Sequence, residues 1–165
     1  MSKIFNFTVD KDKLLVTIER SFDAPVDMVW RAWTDPELLA QWWAPKPWKA
    51  VTKDMDFREG GRWLYAMTGP EGQKAWDLKT FLKIDPKKSF SYRSTFSDEN
   101  GDLAPGTTGS TWTNSFTERD GVTIVTNVIV NESLERLEKQ IEMGFKEGYT
   151  MGLNQLEELL ASLRK

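Results

Sequence analysis

The chain has 165 residues, which is enough for one domain with a sizeable core, and its composition is ordinary for a soluble globular protein apart from eight tryptophans. It contains no cysteine and no histidine, so disulfides, a thiol nucleophile, Ser-His-Asp catalysis and zinc sites built on these residues are excluded. The formal net charge of -3 gives no general attraction to nucleic acid, and we expect no nucleic-acid partner, no metal and no cofactor.

The sequence also lacks signals for a membrane or for secretion. No apolar run approaches the roughly 20 residues that a membrane-spanning helix needs. The apolar run in residues 1–7 is too short for a secretory signal. We therefore expect a cytoplasmic protein made of one domain, residues 1–165, with a core from about residue 13 to residue 163.

The N-terminal part predicts a strand followed by two short helices. Residues 1–12 fit a short edge strand or an arm, and residues 13–22 alternate between apolar and polar side chains, as a half-buried strand does. Apolar residues then recur at helical spacing from Val26 to Trp33. Pro36 starts a second short helix, because proline is tolerated in the first turn, and Pro45 ends it.

Six further strands are predicted before the C-terminal segment. They cover residues 48–57, 62–68, 74–84, 90–96, 110–117 and 122–130. Short turns join them, except that Ser97–Gly109 is rich in Gly, Asp, Pro and Thr and predicts a longer mobile loop. Sequential strands with short turns indicate one antiparallel sheet.

Alternation along these strands predicts which side chains face the core. In the strand at 48–57, Val51, Met55 and Phe57 share one face. The most apolar faces of two other strands are Trp76, Leu78, Thr80, Leu82 and Ile84, and Val122, Ile124, Thr126, Val128 and Val130. Asp77 and Asn127 lie on the opposite phases and are predicted to face solvent.

The last segment, residues 133–163, predicts a long amphipathic helix. Its apolar residues, three or four apart, are Leu134, Leu137, Ile141, Phe145, Tyr149, Leu153, Leu156, Leu160 and Leu163. Gly144, Gly148 and Gly152 interrupt this helix at every fourth position. One interpretation is close packing, or a break near Gly144; the other is that the missing side chains leave room for a ligand between helix and sheet.

The order of elements predicts an α+β fold. A strongly twisted antiparallel sheet carries all the helices on one face and wraps around the long helix, so that volume is enclosed between them. The sequence shows no second domain and no internal repeat.

Several ordered motifs resemble one known family. They are Phe22–Pro25, Val29–Pro36, Leu39–Pro45, Asp56–Gly61, Met67–Gly72 and Met143–Tyr149, the last followed by Leu153, Leu156 and Leu160. These motifs resemble the START-like (SRPBCC) superfamily and, more narrowly, its Aha-type branch, the homologues of the C-terminal domain of the activator of the ninety-kilodalton heat-shock protein ATPase. The resemblance covers roughly residues 13–163, and its motifs are specific for the fold.

The resemblance implies the helix-grip fold: a curved antiparallel sheet wrapped around a long C-terminal helix, with two short helices after the first strand. This agrees with the α+β order predicted above. The resemblance also implies a cavity, in which relatives bind lipids, sterols, hormones or polyketides, and a few relatives are enzymes. In eukaryotic chaperone activators this domain is the C-terminal part of a longer chain.

We predict that aromatic and polar residues of the cavity bind a ligand, because pockets are commonly lined by aromatic rings with a few polar groups. The predicted ligand-binding residues are Trp43, Trp63, Tyr65, Trp76, Trp112, Asn114, Phe145, Gly148 and Tyr149. Asn114 needs a partner if buried, and a structural partner is favoured over water or ligand. No catalytic residue is predicted, since Asp56 and Arg58 fit a surface salt bridge better than a general base.

Three functions are compatible with the sequence. The favoured one is a carrier or sensor that holds a small hydrophobic molecule in a cavity of roughly 300 Å³ or more. The second is a protein-interaction module that regulates a heat-shock chaperone ATPase in the stress response, with the chaperone as partner. The third is a cyclase- or hydrolase-type enzyme, which needs an acidic residue with a raised pKa in the cavity. We favour a non-enzymatic role and leave a homodimer open.

Overall fold

The computed structural model describes residues 4–164. These residues form eight strands and four helices. The strands are β1 Phe5–Asp10, β2 Leu15–Phe22, β3 Lys49–Met55, β4 Arg62–Thr68, β5 Lys74–Asp85, β6 Ser89–Phe96, β7 Ser110–Arg119 and β8 Val122–Asn131. The helices are α1 Val26–Thr34, α2 Pro36–Trp42, α3 Leu134–Glu142 and α4 Phe145–Leu163. The outermost residues of the predicted domain, 1–3 and 165, lie outside the described residues.

The eight strands form one antiparallel sheet in the order β1-β2-β8-β7-β6-β5-β4-β3. The predicted α+β helix-grip architecture is thereby confirmed, with α1 and α2 after β2 and the long α4 at the end of the chain. The segment at residues 1–12 supplies β1, an edge strand that pairs with β2. The hydrophobic core lies between the sheet and the helices.

The two short helices begin and end close to their predicted bounds. Asp35 precedes α2, and its side chain accepts a hydrogen bond of 2.9 Å from the backbone N–H of Glu37, which satisfies one of the free donors at the helix start. The indole Nε1 of Trp42 donates to the Ala32 carbonyl at 2.9 Å and ties α2 to α1. None of the helices in residues 4–164 is both long and apolar enough to span a bilayer.

The C-terminal segment is divided at Gly144, as one interpretation predicted. Gly144 has φ 79°, a left-handed conformation that glycine adopts without steric cost, and it separates α3 from α4. Gly152 serves close packing: a Cβ placed there would lie 3.1 Å from the Trp42 carbonyl oxygen. A Cβ at Gly148 would lie 3.7 Å from Cγ of Pro45. Both glycines therefore face the end of α2 and the residues after it, and the room for a ligand between helix and sheet is not found at either.

We expect Gly148→Ala and Gly152→Ala to change stability in opposite directions. Alanine at 148 meets ordinary contacts, so the better helix propensity should raise the free energy of unfolding by about 0.5–1 kcal/mol. At 152 the new methyl group presses on a backbone oxygen, and we expect a net loss of roughly 1 kcal/mol. Urea denaturation of the two variants measures this. Equal gains at both positions would contradict the close approach of α4 to α2.

The predicted core faces of β5 and β8 were wrong. In β5 the inward residues are Asp77, Lys79 and Phe81, and in β8 they are Thr123, Val125, Asn127, Ile129 and Asn131. Most of the apolar residues that had been assigned to the core, including Trp76, lie on the outer face. Ile84 is the exception: the register between β5 and β6 shifts between Phe81 and Ile84, and Ile84 packs against the core as predicted. Two effects explain the error: β-branched residues favour strands on either face, and the inward polar residues satisfy one another.

A β-bulge also changed the expected face of β3. The register between β3 and β4 shifts between Thr52 and Asp54, so the alternation restarts after the bulge. Val51 is therefore 52% exposed, whereas Met55 and Phe57 pack against the core as predicted. The Asp56–Arg58 salt bridge predicted for the surface is confirmed, with both side chains exposed and 2.6 Å between Arg58 Nε and Asp56 Oδ2.

Candidate functional site

Aromatic rings fill most of the space between the sheet and the helices. Trp43, which directly follows α2, contacts five of these rings at centroid distances of 5.2 to 6.0 Å. They belong to Trp33, Trp42, Trp63, Trp112 and Tyr149. Edge-to-face geometry dominates, which is the arrangement that aromatic pairs prefer.

The ammonium group of Lys79 lies inside this aromatic interior. Its Nζ is 5.0 to 5.9 Å from the ring centroids of Trp43, Trp63, Tyr65, Tyr92 and Trp112, which we call the aromatic box. Nζ also donates to Asp77 Oδ1 at 2.9 Å and to Ser94 Oγ at 3.0 Å. The ring faces, the carboxylate and the hydroxyl all stabilise the charged form of the amine.

Burial opposes that stabilisation. Lys79 is 2% exposed, and the loss of solvation lowers its pKa, while the Asp77 carboxylate acts to raise it. The Asp77 side chain is 16% exposed, so the ion pair reaches solvent on the carboxylate side. The interior therefore contains a buried cation, and its counter-ion is partly exposed to solvent.

A second polar group lies under the first turns of α4. Tyr149 Oη donates to Asn127 Oδ1 at 2.6 Å, and Asn127 Nδ2 donates to Asn114 Oδ1 at 2.7 Å. Asn114 Nδ2 donates in turn to the Phe90 carbonyl at 3.4 Å, so the structural partner predicted for Asn114 is confirmed. Burial raises the pKa of Tyr149 well above its usual value, which keeps the hydroxyl a donor.

The enclosed space is much smaller than the cavity expected from the sequence. A void of about 10 Å³ lies between the short helices and β3–β6, lined in part by Trp33, Trp43, Trp63 and Tyr92. This volume is close to what one water molecule requires. The buried Trp33 Nε1 and Tyr92 Oη have no hydrogen-bond partner among the described residues. The indole rings and Lys79 occupy the space in which the ligand cavity was predicted.

The predicted ligand-binding residues fall into three groups. Trp43, Trp63, Tyr65 and Trp112 belong to the aromatic box, with Trp43 Nε1 donating to Tyr65 Oη at 2.9 Å. Asn114 lies under α4 and belongs to the second polar group. Tyr149 and the half-buried Phe145 are part of α4 itself, and the Phe145 ring stacks on Tyr149 at 5.2 Å. Trp76 and Gly148 are separate from both groups: Trp76 is half-buried on the outer face of the sheet, and Gly148 faces Pro45.

Sequence reasoning missed four residues of the site: Lys79, Asp77, Ser94 and Tyr92. A signal was present in the strand at 74–84, because Asp77 and Lys79 share a phase with Phe81. Two opposite charges on the same face as a large aromatic side chain are compatible with a buried ion pair. They are equally compatible with a face exposed to solvent. The alternate residues of the same strand, from Trp76 to Ile84, are more apolar, and for that reason they were predicted to face the core.

One end of the sheet is closed by α3. The Arg136 guanidinium on α3 donates to the Thr108 carbonyl at 2.8 Å and approaches the Ser94 carbonyl at 3.5 Å. Nearby, Arg93 donates two hydrogen bonds of 2.6 and 2.8 Å to the Glu132 carboxylate. This partner lowers the Glu132 pKa to about 2. No group of three acidic side chains among residues 4–164 is arranged to hold a metal ion.

Comparisons with known proteins agree with the fold. Residues 23–161 match the family described as "Activator of Hsp90 ATPase homolog 1-like protein". A crystal structure of a Mycobacterium smegmatis protein is 36% identical, with a TM-score of 0.86 over 98% of this chain and 99% of that one. A solution structure of an Arthrobacter aurescens protein is 31% identical, with a TM-score of 0.88 over 95% and 91%.

A third solved structure, from Nitrosomonas europaea, is 30% identical, with a TM-score of 0.80 over 94% of this chain and 99% of that one. CalU16 from Micromonospora echinospora, 20% identical with a TM-score of 0.63 over 97% and 87%, shares the fold. None of the functionally curated proteins compared with the chain matches it.

Proposed function

The chain belongs to the family of activator of Hsp90 ATPase homolog 1-like proteins, and on this premise we propose that it binds a small hydrophobic molecule at the aromatic box. The observation that carries the proposal is the buried Lys79–Asp77 pair. Lysine is almost never fully buried unless it is paired. Apolar residues in place of a buried ion pair often leave stability unchanged or higher, so packing alone does not account for the pair.

Binding requires the interior to open, because a drug-sized ligand needs roughly 300 Å³. The break at Gly144 supplies a hinge between α3 and α4. Within α3, Leu137 is the one buried residue, so this helix is held by little apolar surface. Movement of α3 would open the interior near Ser94, beside the exposed side of the ion pair.

The proposal is tested by tryptophan fluorescence during titration with a panel of small hydrophobic molecules. We expect a saturable change in emission, because Trp43, Trp63 and Trp112 surround the bound molecule. The double variant Lys79→Met/Asp77→Leu removes both charges of the pair and should stay folded. It should weaken binding about tenfold, because the ammonium no longer donates to a polar atom of the bound molecule. Trp76→Phe is the control, and it should leave the affinity unchanged because this side chain lies on the outer face.

Two results would count against the proposal. One is the absence of any saturable change across the panel in a protein shown by circular dichroism to be folded. The other is equal affinity in the wild-type protein and Lys79→Met/Asp77→Leu, which would place the ligand elsewhere. Mass spectrometry of the purified protein, searching for a molecule that remains bound, gives an independent measurement.

A second candidate is a protein-interaction module that acts on a heat-shock chaperone. The small size of the void favours it, since a filled interior is expected of a domain that works through its surface. The family description supports the same candidate. Capture of the host's ninety-kilodalton chaperone by the immobilised protein, together with a change in the chaperone's ATPase rate, would support this function over ligand binding.

A further inference from the structure

Positive charge is in excess where α3 meets the end of β6. Five charged side chains interact there, and three of them are cations: Lys79, Arg93 and Arg136, against Asp77 and Glu132. Arg93 pairs with Glu132, and Lys79 pairs with Asp77. Arg136 is the cation that remains, so the group as a whole carries one unbalanced positive charge.

Arg136 is half-buried and forms no salt bridge within residues 4–164. Its guanidinium contacts two backbone oxygens and lies 5.4 Å from the centroid of the Phe96 ring. A guanidinium has five N–H donors, and the two backbone contacts leave others free for an acceptor. Burial lowers the Arg136 pKa, although the Asp77 and Glu132 carboxylates act to raise it.

Ser94 connects Arg136 to the aromatic box. Lys79 Nζ donates to the Ser94 hydroxyl at 3.0 Å, and Arg136 Nη2 approaches the Ser94 carbonyl at 3.5 Å. Asp77 interacts electrostatically with both cations. An acidic group beside Arg136 would balance the excess positive charge. It would also be close to the aromatic box, because Ser94 alone separates Arg136 from Lys79.

We propose that the ligand is a hydrophobic molecule with a single acidic group, whose apolar part enters the aromatic box while Arg136 binds the acidic group at the edge of α3. This inference rests on the proposed function. A neutral ligand leaves the excess charge unbalanced, and a cationic ligand adds to it. Planar acidic groups such as carboxylates also match the paired donors of a guanidinium.

Two fluorescent probes with the same ring system test the inference. 8-Anilinonaphthalene-1-sulfonate carries one negative charge, and N-phenyl-1-naphthylamine carries none. We expect the wild-type protein to bind the anionic probe roughly tenfold more tightly than the neutral probe. Arg136→Gln should abolish this preference without changing the affinity for the neutral probe, and Arg136→Lys should retain part of it.

Arg119→Gln is the charge-matched control, because Arg119 is exposed at the opposite end of β7, and it should leave both affinities unchanged. Equal binding of the two probes by the wild-type protein would overturn the inference and leave the proposed function standing. An equal loss for both probes in Arg136→Gln would also overturn it. If neither probe nor any member of the hydrophobic panel binds saturably, both the inference and the proposed function are wrong.

Discussion

Trp42→Ala is expected to lower the free energy of unfolding by about 3–5 kcal/mol. The side chain is fully buried, its ring packs on Trp33 and Trp43 at centroid distances of 4.8 and 5.2 Å, and its Nε1 bonds the Ala32 carbonyl. Truncation removes a large apolar area, leaves a cavity and frees a buried carbonyl. Chemical denaturation with urea, followed by circular dichroism, measures the loss.

Trp76→Ala provides the matched comparison for Trp42→Ala. Trp76 is half-buried on the outer face of β5, with Lys53 Nζ 5.9 Å from its ring centroid. An exposed cation–π contact contributes about 0.5–1 kcal/mol, and we expect a loss of roughly 1–2 kcal/mol in total. A loss at Trp76 as large as that at Trp42 would show that the inner and outer faces of β5 are assigned incorrectly.

The second large effect is expected for Asp77→Asn. Removing one member of a buried ion pair leaves the other charge without compensation, which typically costs about 3–5 kcal/mol. Lys79 is the fully buried member, and Ser94 and the aromatic box are its remaining partners. We therefore expect the free energy of unfolding to fall by about 3 kcal/mol near neutral pH.

This loss should shrink as the pH rises. Burial holds the folded-state pKa of Lys79 below its usual value of 10.5, and the missing carboxylate lowers that pKa further in the variant. The unfolded chain then binds the proton more tightly than the folded protein, so stability recovers as the pH rises from the lowered pKa towards 10.5. Unfolding curves of the wild-type protein and the variant at several pH values from 7 to about 10 measure the difference.

The double variant Lys79→Met/Asp77→Leu is the control for the ion pair. It removes both charges together, and we expect stability close to that of the wild-type protein, with no difference that depends on pH. This outcome would support a functional reason for the pair. Wild-type stability of Asp77→Asn at pH 7 would instead mean that Lys79 does not depend on the carboxylate.

The order and the bounds of the elements were predictable because their signals are local. Pro25, Pro36 and Pro45 mark the two short helices, and glycine-containing turns separate most of the strands. The break in the C-terminal helix was foreseen at Gly144 for the same reason. Short connections pair sequential strands, and the antiparallel run from β3 to β8 follows from that order. The pairing of β2 with β8 joins distant residues and is not set by a short connection.

The site was predicted only in part, because its key residue depends on tertiary structure. Trp43, Trp63, Tyr65 and Trp112 were expected to share the interior, and they surround a common point. That point is the ammonium of Lys79, which lies on the same face of β5 as Asp77, a residue predicted to face solvent. Whether a charged residue is buried depends on partners distant in sequence, such as Ser94. The sequence of a single strand does not indicate which partners these are.

The position of β2 in the sheet determines when this strand can pair during synthesis of the chain. Leu15 pairs with Val130, so β2 has no neighbour on one side until β8 has left the ribosome. At roughly 5–20 residues per second, this wait lasts on the order of ten seconds. During it the tryptophans of α1 and α2 have no α4 to cover them, and the nascent chain resembles an aggregation-prone intermediate. Truncations before α4 should therefore be insoluble.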